Sequence, residues 1–447
     1  YLDPDIRPLL GKRLRLDAFV LEGATLNLAR SDEPFELPRW PDVLPAIEMP
    51  IAIQADAIVV DGLVVTSGGE PLIDIRRLRG GIDIASGDLH AEHLQVDSNL
   101  GLFSVHGDYV PAEDYRSDLL ATAVFPRADG GVPARLGLIA RGDLSRMEVG
   151  IGGRAPRPVR AMLSLAGDED APQWRLRARS EGVDPGLFTG AAPMDEPLVF
   201  EVDAQGSGGD ARLSGRARVA GQDVVVAPSR VHLADQVLDV DPLVLDLYEG
   251  QVRLRGKADF SDPDRGRFRF ALDASGIRLE PAESGAPVVG IDAALGVAGT
   301  TSLWAAYGQA SLQRDGEQAR LELDVRGDRA GARIHALHAA MPTGTLDAQG
   351  QASWDPVLAW DLALRLEGFD PGYFVPGWDG NINGRISSNG RQRAATAGQG
   401  DAGFEAVAVL EDLGGRLRGR PLDGRGRFEL QGEAGSGALE LALGASR

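Results

Sequence analysis

The chain has 447 residues, a formal net charge of −20 and no cysteine. That excludes a disulfide framework, thiolate metal sites and cysteine nucleophiles, and a field of this sign repels nucleic-acid phosphates. Hydrophobic residues at 43% and charged residues at 25% describe a folded chain, while 58 glycines and 27 prolines imply many turns.

Taken from the start, Asp3-Pro4 reads as a cap and first position for a turn or two of helix through Leu10. Residues 13–28, RLRLDAFVLEGATLNL, alternate. Leu14, Leu16, Ala18 and Val20 share one face, and Leu26 and Leu28 resume after Glu22-Gly23. The pattern predicts a strand, a short turn and a second strand. Asp168, Glu169 and Asp170, like Asp262 and Asp264, read as solvated turns.

Alternation returns along the rest of the chain. Trp174 and Leu176, Val252 and Leu254, and Phe268, Phe270 and Leu272 alternate with polar side chains. So do Leu321, Leu323 and Val325, and then Trp360, Leu362, Leu364 and Leu366. One-sided alternation predicts an antiparallel sheet with one wet face. Residues 301–312 and 402–412 read as strand or loop, and Asp184-Pro185-Gly186 and Asp370-Pro371-Gly372 as single helical turns. At about 13 residues per strand and turn, roughly 34 strands would stretch on the order of 160 Å.

Residues 174–188 (WRLRARSEGVDPGLF) and 360–374 (WDLALRLEGFDPGYF) match without a gap, and 268–277 (FRFALDASGI) lies between them with Phe268 in the tryptophan position. A unit of ~90 residues therefore recurs, and residues 1–447 read as one continuous, elongated repeat sheet. The fold class is all-β: a long curled antiparallel sheet with a few short helical turns. No long amphipathic helix is available to cover it. Its apolar side chains must then meet a second sheet, a solenoid interior or a guest, because exposed apolar patches beyond a few hundred Å² mark binding sites.

Catalytic chemistry is not announced. His90 and His93, like His335 and His338, are three apart, which on regular strands puts partners on opposite faces. No metal site, cofactor or enzymatic activity is expected. No run of about 20 apolar residues marks a transmembrane helix. Residue 1 is Tyr and the final LELALGASR stops just after a strand pattern, so the chain reads as a piece of a longer protein.

Three stretches carry a family resemblance: residues 1–28, YLDPDIRPLLGKRLRLDAFVLEGATLNL; residues 37–65, LPRWPDVLPAIEMPIAIQADAIVVDGLVV; and residues 346–390, with Trp354-Asp355-Pro356 and the run Phe374 to Gly380. Together they resemble the TamB family of AsmA-like proteins of Gram-negative bacteria, without that family's N-terminal membrane helix and C-terminal domain. The resemblance implies a taco-like sheet with an apolar groove, in a periplasmic protein anchored to the inner membrane. It also implies phospholipid transport to the outer membrane, pairing with the outer-membrane barrel TamA, and assistance to outer-membrane protein clients, autotransporters included. The groove candidates are Leu14, Leu16, Val20, Leu26, Leu28, Trp174, Leu176, Val252, Leu254, Phe268, Phe270, Leu272, Leu321, Leu323, Val325, Trp360, Leu362, Leu364 and Leu366. The residues leave two other readings open: a scaffold templating client β-strands without moving lipid, and a tandem β-sandwich array of adhesin type.

Overall fold

The computed structural model describes residues 2–5, 13–28, 44–47, 52–67, 70–126, 132–167, 171–189, 196–219, 221–262, 265–279, 288–355, 357–373, 377–392, 404–431 and 434–443. These form an all-β chain in two units, Tyr1–Leu238 and Asp239–Arg447. Unit 1 holds β1 (Leu2–Asp5), β2 (Arg13–Leu28), β3 (Ala52–Ser67), β4 (Glu70–Ala85), β5 (Asp88–Ser98), β6 (Gly101–Val110) and β7 (Arg116–Val124). It continues with β8 (Arg135–Asp143), β9 (Arg146–Arg154), β10 (Pro158–Ala166), β11 (Gln173–Val183), α1 (Gly186–Thr189), β12 (Leu198–Ser207), β13 (Asp210–Val219) and β14 (Gln222–Ala234). β15 (Val237–Leu247) straddles the boundary. Unit 2 holds β16 (Gly250–Asp259), β17 (Arg267–Leu279), β18 (Val289–Thr300), β19 (Trp304–Arg314), β20 (Glu317–Gly327) and β21 (Gly331–Ala340). Its remaining strands are β22 (Thr345–Ser353), β23 (Ala359–Phe369), β24 (Gly380–Gln392), β25 (Phe404–Leu417), β26 (Arg420–Gln431) and β27 (Ala434–Leu443).

Within each unit, the described pairings join strands adjacent in sequence, and the substantial contacts are between such neighbours. Tight turns enforce this order. Asp315-Gly316 and Arg418-Gly419 both take positive φ at two successive residues, the geometry of a two-residue hairpin whose twist matches its strands. No described pairing closes the strands of either unit into a barrel.

Several expectations are corrected. Among the described residues there are 27 strands against the roughly 34 predicted, and most run 9 to 16 residues, longer than the usual five or six. Leu2–Asp5 is a strand paired with β2 and not the start of a helix; residues 6–12 lie outside the described residues. Residues 13–28 form one strand, and β2 pairs with β3 in parallel, where the other described strand pairings are antiparallel. Glu22-Gly23 is a kink and not a hairpin turn. Gly23 (φ +62°) lies beside Gly62 (φ +75°), so both strands bend at one level. The acidic cluster at Asp168, Glu169 and Asp170, and Asp264, lie outside the described residues.

The three similar segments occupy β11, β17 and β23, six strands apart. Trp174, Phe268 and Trp360 each stand second in their strand. Gly182, Gly276 and Gly368 each take positive φ at a register shift near the strand's end. Both Asp-Pro-Gly motifs make a single helical turn, α1 and the 3-10 turn Pro371–Tyr373. In each, the Asp carboxylate accepts the Gly N–H at 2.9 Å, from Gly186 to Asp184 and from Gly372 to Asp370.

Candidate apolar binding face

Residues directly opposite in a ladder share a face, so the register assigns the paired side chains of unit 2 to one of two surfaces. One row runs Ala258, Phe268, Gly299, Trp304, Gly327, Ala332, Ala352, Trp360, Gly390, Ala406, Leu430. The next runs Gly256, Phe270, Val297, Ala306, Val325, Ile334, Gly350, Leu362, Ser388, Ala408, Phe428. Then come Leu254, Leu272, Leu295, Gly308, Leu323, Leu337, Ala348, Leu364, Ile386, Leu410, and Val252, Ala274, Ala293, Ala310, Leu321, Ala339, Leu346, Leu366. Ser388 is the one polar side chain in these four rows. The alternate rows carry the charge: Arg253, Asp273, Ala294, Gln309, Glu322, His338, Asp347, Arg365, Arg385 and Glu411 lie in one of them. Ion pairs cross that face, among them Arg255–Asp273 at 3.2 Å, His338–Asp347 at 2.7 Å and Arg391–Glu405 at 3.0 Å.

Burial separates an open face from a sealed one. Phe268, Phe270, Leu272, Leu321, Leu323, Trp360, Leu362 and Leu364 are all half-buried. Flanking side chains on the same sheet cover their sides and leave their tips free. The inner faces of a sandwich are sealed over about 10 Å of interdigitated core, and these side chains are not.

The tryptophans lie flat. A Cβ on Gly327 would fall 2.3 Å from Trp304 Cζ2, one on Gly390 2.4 Å from Trp360 Cζ2, and one on Gly206 2.8 Å from Trp174 Cζ2. The ring occupies the place of a neighbour's missing side chain. Hydrogen bonds fix the indoles: Trp304 Nε1 donates to the Asp328 carbonyl (3.2 Å), and Trp360 Nε1 to Ser388 Oγ (3.1 Å).

The two rims differ. Phe268, Trp304, Trp360 and Phe404 stand at the starts of β17, β19, β23 and β25, along one edge of the face. At the other edge, Leu366, Ile382, Leu413 and Leu422 form a buried cluster. Beside it, Tyr373 folds over Ala319, Ala339 and Met341. Its hydroxyl donates to the Leu312 carbonyl at 2.8 Å, Arg314 donates to its carbonyl, and burial raises its phenol above the ordinary range.

Unit 1 repeats the division. Gly107, Leu119, Ala140, Val149, Leu163, Leu176, Ala204 and Leu213 form one row, and Tyr109, Ser117, Gly142, Met147, Leu165, Trp174, Gly206 and Ala211 the next. Leu187 of α1 is buried with Ala134 and Ala155, against Phe125 and Phe188.

Residues 281–446 match the family model described as TamB, N-terminal domain. The match covers 166 of the chain's 447 residues, and over that stretch the chain is similar to the TamB family. No curated protein and no solved structure matches it. The TamB family is a periplasm-spanning bacterial scaffold and transport module, associated with TamA in the translocation and assembly module. Among the described residues no helix is long and apolar enough to cross a membrane.

The predicted residues from Trp174 to Leu366 each lie on the apolar rows of their own unit; Val325 and Leu366 are buried and the others half-buried. Leu14 is half-buried, Leu16 is 3% exposed and Leu26 is 49% exposed; the Leu28 side chain lies outside the described residues. Val20 departs from the expected alternation. It sits beside Val59, in the row of Arg79 and Gln95, while Phe19 and Leu21 align with Ile58 and Val60. The cause is a bulge between Ala55 and Ile58, matched in β2 between Leu16 and Phe19, that shifts the phase of both strands.

A bulge also overturns the histidine geometry. His93 takes φ +47° between Ala91 and Leu94, which turns it onto the polar face with His90. His93 stacks on His106 with ring centroids 4.5 Å apart, and His90 Nδ1 lies 2.8 Å from Asp108. Trp304, Leu295, Ile334, Leu337, Ile386 and Leu410 were missed as face residues. Their strands are rich in Ala and Gly, so the signal was the small-large alternation and not hydrophobicity.

Proposed function

We propose that the apolar face carries phospholipid acyl chains, as part of a conduit between the inner and outer membranes of a Gram-negative bacterium, with the full-length protein anchored to the inner membrane. The observation that carries this reading is the set of four cross-strand rows in unit 2, apolar but for Ser388, whose large side chains stay half-buried. Fully burying one such side chain is worth about 1.5–3 kcal/mol, so acyl chains laid along the rows gain what the sheet leaves unburied. Glycine beside each tryptophan keeps the floor low enough for a chain to lie across it. Ion pairs on the opposite face keep that side in water. The chemistry is binding and not catalysis, and the six-strand interval between β11, β17 and β23 is the sequence repeat at which each unit supplies a large aromatic to its own apolar rows.

Support of outer-membrane protein and autotransporter assembly with TamA belongs to the same reading, as the family's role in the translocation and assembly module suggests. Purification without detergent, followed by solvent extraction and mass spectrometry, tests the proposal. Phospholipid in stoichiometric excess over the chain is expected; a chain free of lipid refutes it.

A further inference from the structure

The polar face of unit 1 is interrupted by an island that departs from the rest. Leu120, Ile139 and Met162 are 50%, 50% and 53% exposed. The register puts them on the face opposite Leu119, Leu138 and Leu163. They border an open depression of about 620 Å³. Its floor is Gly137, Gly150 and Gly152, with Gly137 directly opposite Gly152, and Gly150 between Ile139 and Met162.

Nothing inside the chain explains that floor. None of the three glycines takes positive φ. A Cβ on Gly152 would meet nothing within 4 Å, and on Gly137 or Gly150 nothing closer than 3.7 Å. Glycine in a strand interior weakens it, and without a strained backbone or a packed neighbour it marks a place where something else approaches closely.

The charges around the depression point the same way. Arg135 lies directly opposite Arg154, and Arg160 opposite Arg179. Like charges so placed destabilise a sheet. Neighbouring arginines have partners: Arg141 pairs with Asp118 at 3.0 Å and Arg177 with Asp203 at 3.4 Å. Glu201, across from Arg179, is taken by Arg216. Among the described residues, Arg135, Arg154, Arg160 and Arg179 make no ion pair, and all four are exposed. A chain of net charge −20 thus keeps four unpaired guanidiniums beside three exposed apolar side chains.

We propose that this depression docks an acidic, amphipathic protein segment, whose carboxylates engage these arginines and whose apolar side chain lies on the glycine floor between Ile139 and Met162. Guanidinium forks bind carboxylates bidentately. The apolar part is three side chains wide, the scale of one partner residue and not of an acyl chain, whose continuous rows lie on the other face. The site is independent of the lipid reading.

The test is a photoreactive benzoylphenylalanine at Ile139 in the full-length protein in cells, with the crosslinked peptide sequenced. The recovered segment is then synthesised, and its binding to the purified chain is measured by fluorescence anisotropy. The segment should carry at least two carboxylates beside an apolar residue. Its affinity should fall by at least about tenfold in the Arg160→Glu/Arg179→Glu variant, and likewise at high salt. Arg391→Glu, on unit 2, should leave it unchanged, and circular dichroism melting should report both variants folded. Absence of an adduct, a lipid adduct, a segment without carboxylates, or affinity indifferent to the double reversal would each overturn the proposal. So would phosphatidylglycerol vesicles binding through the same arginines.

Discussion

Leu362→Arg distinguishes an open apolar face from a sealed one by magnitude. Leu362 is half-buried, opposite Gly350 on β22 and Ser388 on β24. Its partial burial is worth about 1–2 kcal/mol, a fraction of the 1.5–3 kcal/mol of a fully buried leucine. On an open face the arginine stem lies along neighbouring aliphatic groups while its head reaches water. The expected loss is therefore only that ~1–2 kcal/mol. Were another protein layer to seal the face, the same guanidinium would be an uncompensated buried charge costing on the order of 3–5 kcal/mol. Urea denaturation of the purified chain reads the difference, and lipid extraction from the same preparation reads occupancy. The expected outcome is a folded protein with modestly lowered stability and reduced bound phospholipid. A loss beyond about 4 kcal/mol, or unchanged lipid content, would refute the reasoning.

Arg365→Glu, on the opposite face, disrupts an exposed pair with Glu367 and should cost less than about 1 kcal/mol with lipid occupancy unchanged; equal damage at 362 and 365 contradicts the face assignment. Gly327→Ala sets a Cβ 2.3 Å from Trp304, so the ring must lift; we expect a loss of about 1–3 kcal/mol and altered tryptophan emission. Tyr373→Ala should cost about 3–5 kcal/mol by emptying the buried rim cluster, and Tyr373→Phe only about 1 kcal/mol, for the hydroxyl bond to Leu312; similar losses in both would remove packing as the reason. Asp143 is held below the ordinary carboxylate range chiefly by the Ser145 hydroxyl, then by the Arg146 N–H. A lowered folded pKa makes its contribution present above the ordinary range and lost as pH falls through the lowered value. Ser145→Ala should move the Asp143 titration, followed by NMR, upward; an unmoved titration excludes the hydroxyl as cause.

Period-two alternation made the all-β fold and the faces of Trp174, Phe268 and Trp360 legible in the sequence, because a strand's side-chain direction depends only on parity until a bulge intervenes. Bulges are where legibility ended. Val20 and His93 both fall on the face opposite to that of simple counting, since one extra residue or one left-handed residue resets the phase. The parallel pairing of β2 with β3 was hidden for a related reason, because Glu-Gly reads as a hairpin turn when only local chemistry is weighed. Trp304 and its alanine-rich strand escaped notice because a row of small residues belongs to the face only through what lies across from it. The island at Gly137, Gly150 and Gly152 could not be seen at all from one strand, since β8, β9 and β10 each supply part of it.

The central claim is that the apolar rows meet acyl chains while the rows between them meet water. A photocrosslinker placed in turn at Leu323, Leu364, Glu322 and Arg365 of the membrane-derived protein addresses it directly. Phospholipid adducts at 323 and 364 with none at 322 and 365 are what the register predicts. Adducts spread evenly over the four positions, or confined to neighbouring protein, would contradict it.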